Sequence, residues 1–423
     1  MIVLLRAALP VFLAMVTGLM GTLVVTSVLG NHETVALAAF AVMSAVLTPA
    51  TAAVQGALRG LGPFVAPYRD DPGAAVPVVR DARWLSLVTG TLGALAVLCV
   101  PALARVSGVP GEVVGELGLL PWFLAAYLLV FATTGGASTI LVALGRSRDV
   151  LWPSLTFGVL LSALTAVLAP RLGLDGVGVA WVVAGVVAAV VASFLLRRAL
   201  GRPIGQGRPR VAEIVRLARV SVPLAATVLI KFGVLGVVTF AAGATGARDT
   251  AAHAVLTTLT GLIMLVSLSV AQASVPEVAR AGDPAGARRA NRAAALLAVA
   301  GTLVAALVLL LLGERVLGLF TGDAAVRERA LALLPLMLVS SLADAAQAVQ
   351  GMGLTALKRS GASLAYFVLG YGVLLAAAVP VARTWGITGL WVAMAAANGL
   401  LVVLQGAGFR RHSARVGTAE AVA

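Results

Sequence analysis

Residues 170–200 read PRLGLDGVGVAWVVAGVVAAVVASFLLRRAL, and residues 383–413 read RTWGITGLWVAMAAANGLLVVLQGAGFRRHS. Each carries a Gly-x-x-Gly step, Gly173 with Gly176 in one and Gly386 with Gly389 in the other. From the second glycine each runs through about twenty uncharged positions and closes on a basic pair, Arg197-Arg198 or Arg410-Arg411. A helix of about 20 apolar residues, rising 1.5 Å per residue, crosses the roughly 30 Å of hydrocarbon in a bilayer. The two stretches therefore read as the same membrane span written twice, 213 residues apart.

The same offset carries further landmarks. Pro10 matches Pro223, Gly30 matches Gly243, Ala38-Ala39 matches Ala251-Ala252, Pro63 matches Pro276 and Arg146 matches Arg359. A fixed period over the whole chain is the signature of a duplicated unit. Twelve spans are predicted, near residues 7–29, 35–67, 83–104, 117–144, 149–169, 173–196, 219–243, 250–279, 293–314, 330–357, 361–382 and 386–409. Six spans per copy is an even number, so the second copy enters the membrane in the orientation of the first and the repeats are parallel. The predicted class is an all-α polytopic membrane protein with twelve transmembrane helices in two six-helix lobes. The lobes are expected at 1–200 and 219–409, joined by a linker at 201–218 and followed by a tail at 410–423.

Composition agrees. Hydrophobic residues make up 60% of the 423, charged residues 11%, and mean hydropathy is +1.03, which is membrane composition. Barrel strands would alternate apolar and polar, and these spans are apolar all round. The net charge of +14 sorts by side: 22 of the 31 basic residues fall on the side of the N-terminus and 7 on the other. The positive-inside rule then puts both termini in the cytoplasm of an inner-membrane protein. The basic loops read as topology signals and lipid-headgroup contacts, so no nucleic-acid partner is expected. The expected partners are the lipid bilayer and a small-molecule substrate, and the chain is expected to work as a monomer without a cofactor. No phosphate-binding loop, nucleophile elbow or metal-ligand spacing occurs; His32, His253 and His412 are scattered. The lone Cys99 reads as a helix-packing residue of span 3, His253 as an interfacial residue, and Val211 to Arg219 as a short amphipathic helix. Pro49, Pro63, Pro276 and Pro335 read as bending points within spans.

Charges inside the hydrocarbon cost roughly 2.5–3.5 kcal/mol each on insertion scales and call for a partner or a cavity. Lys231 lies 12 residues from Arg219 and from Gly243, and Asp344 lies 15 after Arg329 and 14 before Lys358. Both are near the midplane, beyond the reach of snorkelling. They are predicted to face one another and to form an ion-coupling pair, with a static packing pair as the alternative. Arg59 and Gln55 in span 2, with Gln272 in span 8 and Gln347 in span 10, are candidate lining residues of a substrate cavity. Gly56-x-x-x-Gly60 beside Arg59 permits close helix approach.

Local strings in order along nearly the whole chain resemble the multidrug and toxin extrusion (MATE) family of the polysaccharide and drug exporter superfamily. They are Ala8-Leu9-Pro10, Val28-Leu29-Gly30 and Leu37-Ala38-Ala39 in the first copy, then Val222-Pro223-Leu224 and Ala251-Ala252-His253. Ala281-Gly282-Asp283, Leu319-Phe320-Thr321, Asp344-x-x-Gln347 and Trp385-Gly386-x-x-Gly389-Leu390-Trp391 follow. The resemblance implies a secondary active exporter of small organic compounds, drugs or metabolites, working by alternating access on a proton or sodium gradient. It also exposes departures, because Thr22 and Lys231 stand where family members often carry acids, and Asp344 is the matching intramembrane carboxylate that remains. The Lys231 ammonium would then stand where relatives place a bound cation. The alternatives are a lipid-linked saccharide flippase of the same superfamily and a non-transporting membrane receptor or assembly protein.

Overall fold

The computed structural model describes residues 1–30, 34–205 and 207–417. Every regular element among them is helical. In the first copy α1 spans Ile2–Gly30, α2 Thr34–Arg59, α3 Val76–Leu98 and α4 Leu120–Ala143. Leu151–Leu200 is 50 residues long, but Gly173 breaks it (φ 58°, ψ −138°) into α5 (151–172) and α6 (174–200). In the second copy α7 spans Val211–Gly243, α8 Ala247–Ala279, α9 Pro284–Gly318 and α10 Ala324–Ala356. The 54 residues of Ser360–Ser413 break at Gly386 (φ 58°, ψ −154°) into α11 (360–385) and α12 (387–413).

Both breaks are reversals. A Cβ on Gly176 would lie 2.5 Å from the carbonyl oxygen of Leu168, eight residues back, whereas eight residues of straight helix span about 12 Å. At Gly389 the same test meets Val381 at 2.9 Å, and Val381 is the repeat partner of Leu168. Only glycine reaches that backbone region without strain, so the Gly-x-x-Gly step makes both the turn and the close packing after it. With these two breaks, the ten stretches long and apolar enough to cross a membrane give twelve crossings.

Other ends follow from local chemistry. Asp323 caps α10 by accepting from the backbone N–H of Ala325 (2.8 Å), and Asp283 caps α9 through the N–H of Gly286 with Pro284 in the first turn. Side-chain acceptors at this position satisfy donors that the helix leaves free.

The chain divides into two compact units, Leu9–Val228 and a second made of Met1–Ala8 with Leu229–Ala423. The first packs around an aromatic cluster. Tyr127 meets Trp181 edge-on at 4.7 Å and stacks on Phe157 at 5.5 Å, with Phe131 at 5.6 Å. The second packs around Trp391, Phe367 and Tyr371, the last two stacked at 4.5 Å.

Several expectations are corrected. Val211 to Arg219 is not a separate surface helix, because α7 runs unbroken from Val211 to Gly243. Within the apolar stretch Val35–Tyr68 the helix is interrupted after Arg59, where α2 ends, and Pro63 sits in the first turn of the short helix that follows, Gly62–Val65. Cys99 is exposed, at the junction of α3 and a short helix Val100–Val106, so it packs no helix interface within the chain. His253 is 2% exposed, with its Nε2 3.4 Å from Thr239 Oγ1 and its ring beside Trp391. His32 lies outside the described residues.

Candidate functional site

α7 and α10 carry the two opposite charges that the sequence places in mid-membrane, and the fold brings them together. Lys231 Nζ donates to Asp344 Oδ1 at 2.6 Å. The aspartate side chain is 8% exposed and the lysine 23%, so the lysine keeps the more open side. Met264 Sδ on α8 lies 3.8 Å from the ammonium, a soft and weak neighbour that leaves Asp344 as the partner of substance.

A polar layer within the same unit surrounds the pair. Tyr371 on α11 feels the charges of both Lys231 and Asp344. Its hydroxyl donates to Asn398 Oδ1 on α12 at 2.9 Å, and Asn398 Nδ2 donates to Ser340 Oγ at 3.1 Å, one helical turn before Asp344 on α10. Sequence reasoning missed Tyr371, Asn398 and Ser340. The available signal was a hydrogen-bonding side chain inside an apolar span, which membrane helices use to bond one another.

The lining candidates divide. Gln347, one turn beyond Asp344, is 6% exposed and donates to Gln405 Oε1 at 3.0 Å, and Gln405 donates to Ser363 at 3.1 Å. That chain ties α10, α11 and α12 together. Gln272 on α8 has a buried Nε2 with no hydrogen-bond partner among the described residues. In the first unit Gln55 faces α4, where a Cβ on Gly135 would lie 2.6 Å from its Oε1. Arg59, at the end of α2, has a buried Nε with no hydrogen-bond partner among the described residues. Its neighbour Gly60 abuts Ser221 of α7, and Gly56 abuts Val228, so the Gly-x-x-x-Gly step seats α2 against the first half of α7. Among the described residues no group of His, Cys, Asp or Glu could hold a metal ion.

The family model described as MatE matches residues 223–381. A probable multidrug resistance protein NorM of Xanthomonas campestris pv. campestris is 28% identical over 440 residues, covering 97% of this chain and 93% of that protein. The protein of the same description from Aromatoleum aromaticum is 29% identical over 380 residues, covering 82% and 79%. Among solved structures, an outward-facing multidrug resistance MATE family transporter of the MOP superfamily superposes with a TM-score of 0.89 at 18% identity, covering 98% of this chain and 96% of that one. Over nearly its whole length the chain is similar to MATE family transporters, in sequence to the NorM proteins and in fold to the solved MATE structures. Another fold relative, a MOP superfamily transporter from Pyrococcus furiosus, gives a TM-score of 0.87 at 18% identity with 98% and 96% coverage. It is described as having a binding pocket of reverse polarity that suggests a different function. Within this chain, the offset that relates the copies pairs Lys231 with Gly18, Asp344 with Phe131 and Arg59 with Gln272. Ser340 likewise pairs with Tyr127, and Asn398 with Gly185, whose Cβ would touch the Tyr127 ring at 3.0 Å. Where the second unit has its polar layer, the first has its aromatic cluster.

Proposed function

We propose that this protein exports small organic compounds, drugs or metabolites, across the inner membrane by alternating access. Export is driven by a proton or sodium gradient, and both termini lie in the cytoplasm. The lobes are residues 1–200 and 219–409, with 201–218 as linker and 410–423 as tail. Asp344 and Lys231 form the coupling element, and Arg59, Gln55, Gln272 and Gln347 line the path. The naming of the relatives as multidrug resistance proteins supports the substrate class.

The observation that carries the coupling role is the 2.6 Å contact between Lys231 and Asp344, with the lysine the more exposed partner. Protonating Asp344, or offering the ammonium another anion, removes the attraction that holds α7 to α10. A ligand that binds the parted form better shifts the balance between the two arrangements. The built-in ammonium stands beside the carboxylate where a mobile cation would otherwise bind.

Uptake of a panel of dyes, drugs and metabolites into inverted membrane vesicles, with pH and sodium gradients imposed separately, tests the reading. Substrate accumulation that follows one gradient and is lost with Asp344→Asn supports it. Unchanged transport and gradient dependence in that variant rules the pair out as the coupling element. A second reading, transport of an anionic compound such as a lipid-linked saccharide phosphate, is favoured by the unpartnered Arg59 Nε. Selective loss of anionic substrates in Arg59→Gln would establish it.

A further inference from the structure

A cavity of about 240 Å³ lies wholly within the first unit, between α3, α4 and α6, and contains none of the residues proposed for transport. Arg83, Ser86, Gly136, Ile140, Ser193 and Leu196 are among its walls. Its origin is local. A Cβ on Gly135 would meet Gln55 and Leu58 of α2, whereas one on Gly136 would meet Ser86 of α3 at 2.6 Å. One side of α4 is therefore covered by α2. The other side touches α3 at Gly136 and leaves a cleft toward α6, with Thr133 and Leu87 exposed at its edge.

The mouth is basic and the walls are mostly apolar. Arg83 lines the cleft and Arg197 directly follows the lining residue Leu196, which sets the two like charges near one another. Arg83 makes a loose 3.5 Å contact to the carbonyl of Ile204. Asp81, the single acid on α3, does not neutralise them, because it is 1% exposed and is held by the Nε and Nη2 of Arg210 at 3.1 and 2.5 Å. Arg83 lies seven residues, about 10 Å, into α3, while Ile140 and Leu196 lie close to the ends of α4 and α6. Trp84, 37% exposed, donates from its indole to the carbonyl of Gly207 at 3.3 Å, as residues at a headgroup boundary do. The guanidinium pair is thus at headgroup depth, and the cleft leads from it into the hydrocarbon.

We infer that this cleft binds one anionic phospholipid of the surrounding leaflet, with its phosphate between Arg83 and Arg197 and the start of an acyl chain along Ser86, Gly136 and Ser193. Arginine pairs offer several charge-assisted donors to phosphate oxygens, and basic pockets between membrane helices suit anionic headgroups. A zwitterionic lipid brings its own cation to the same place and gains less.

The experiment is native mass spectrometry of the detergent-purified full chain. Phosphatidylglycerol and phosphatidylcholine of the same acyl chains are titrated separately, and sn-glycerol 3-phosphate serves as the free-phosphate arm. Phosphatidylglycerol should bind at least about tenfold tighter than phosphatidylcholine, the scale of one charge-assisted hydrogen bond, and glycerol phosphate should not displace it. Arg83→Gln with Arg197→Gln should bring it to the phosphatidylcholine level, and Arg83→Lys should retain most of the preference. Ser193→Phe, which fills the cleft and leaves both arginines, should weaken the two lipids alike. Equal binding of the two lipids by the unaltered protein overturns the proposal whether or not any variant folds. So does displacement by glycerol phosphate, which marks a free-anion site, or unchanged retention in the folded double variant.

Discussion

Gly145 and Lys358 stand at the same bend in the two copies, 213 residues apart, with φ of 79° and 57°. The residue after each closes the same ring: Arg146 N–H donates to the Leu141 carbonyl and Arg359 N–H to the Leu354 carbonyl, both at 2.8 Å. This is a helix C-terminus ended by one left-handed residue. The first copy fills the position with glycine. The second fills it with lysine, the one non-glycine residue of positive φ among the described residues.

The two positions should respond to substitution with opposite signs. A side chain in this region costs about 1–2 kcal/mol, so Gly145→Ala is expected to destabilise by that amount. The Arg69 side chain must also move, since its Nε lies 2.5 Å from where the new Cβ would be. Lys358→Gly relieves the cost but loosens the unfolded chain, for a net gain of up to about 1 kcal/mol. Thermal unfolding of the detergent-solubilised protein measures both, and a drop with Lys358→Gly equal to that of Gly145→Ala contradicts the argument.

The two reversal glycines should behave as a matched pair. Gly173 and Gly386 have the same φ, and their ψ values differ by 16° in a region that side chains avoid. Alanine at either should cost about 1–3 kcal/mol, with similar losses in melting temperature. Alanine at Gly18, where nothing lies within 4 Å of the new Cβ, is the control and should be close to neutral.

What the sequence discloses of this fold is what repeats or what costs energy in lipid. The Gly-x-x-Gly steps declare themselves because a backbone requirement admits one residue type, and the duplication prints it twice. Lys231 and Asp344 declare themselves because a charge at that depth needs a partner. Residues whose role depends on a neighbour far along the chain stay hidden. Tyr371 and Asn398 are ordinary amphipathic side chains until α11 and α12 fold back on one another. Asp81 and Arg210 look like two more charges of a basic membrane face until the linker lays Arg210 on α3. Cys99 looks like a packing residue because its span is apolar, and periodicity in a helix that is apolar all round does not say which face meets lipid.

The Asp81–Arg210 contact predicts how the linker behaves. Arg210 is half-exposed while Asp81 is buried, so the pair ties the end of the linker to α3. Arg210→Ala should free the chain just before α7 and speed its cleavage by a protease of broad specificity several-fold, because a tethered backbone fits a protease poorly; trypsin does not serve, since Pro203 and Pro209 follow Arg202 and Arg208. Arg210→Lys should restore part of the protection. Time courses read on denaturing gels decide it, and equal cleavage rates in all three proteins would leave the tether without consequence.

Stability and transport should separate at Lys231 and Asp344. Removing one partner leaves a buried charge uncompensated, at a cost of about 3–5 kcal/mol, whereas replacing both with apolar residues of similar volume is often neutral or better. Lys231→Met and Asp344→Leu singly should therefore lower the melting temperature sharply, and the double variant should recover most of the loss. A static packing pair predicts that the recovered protein also transports. A coupling element predicts that it folds and binds substrate but no longer accumulates it against a gradient. Melting curves and vesicle uptake on the same four proteins distinguish the outcomes. The stability half of the prediction fails if the losses of the two single variants simply add in the double variant, because residues joined at 2.6 Å must be energetically coupled.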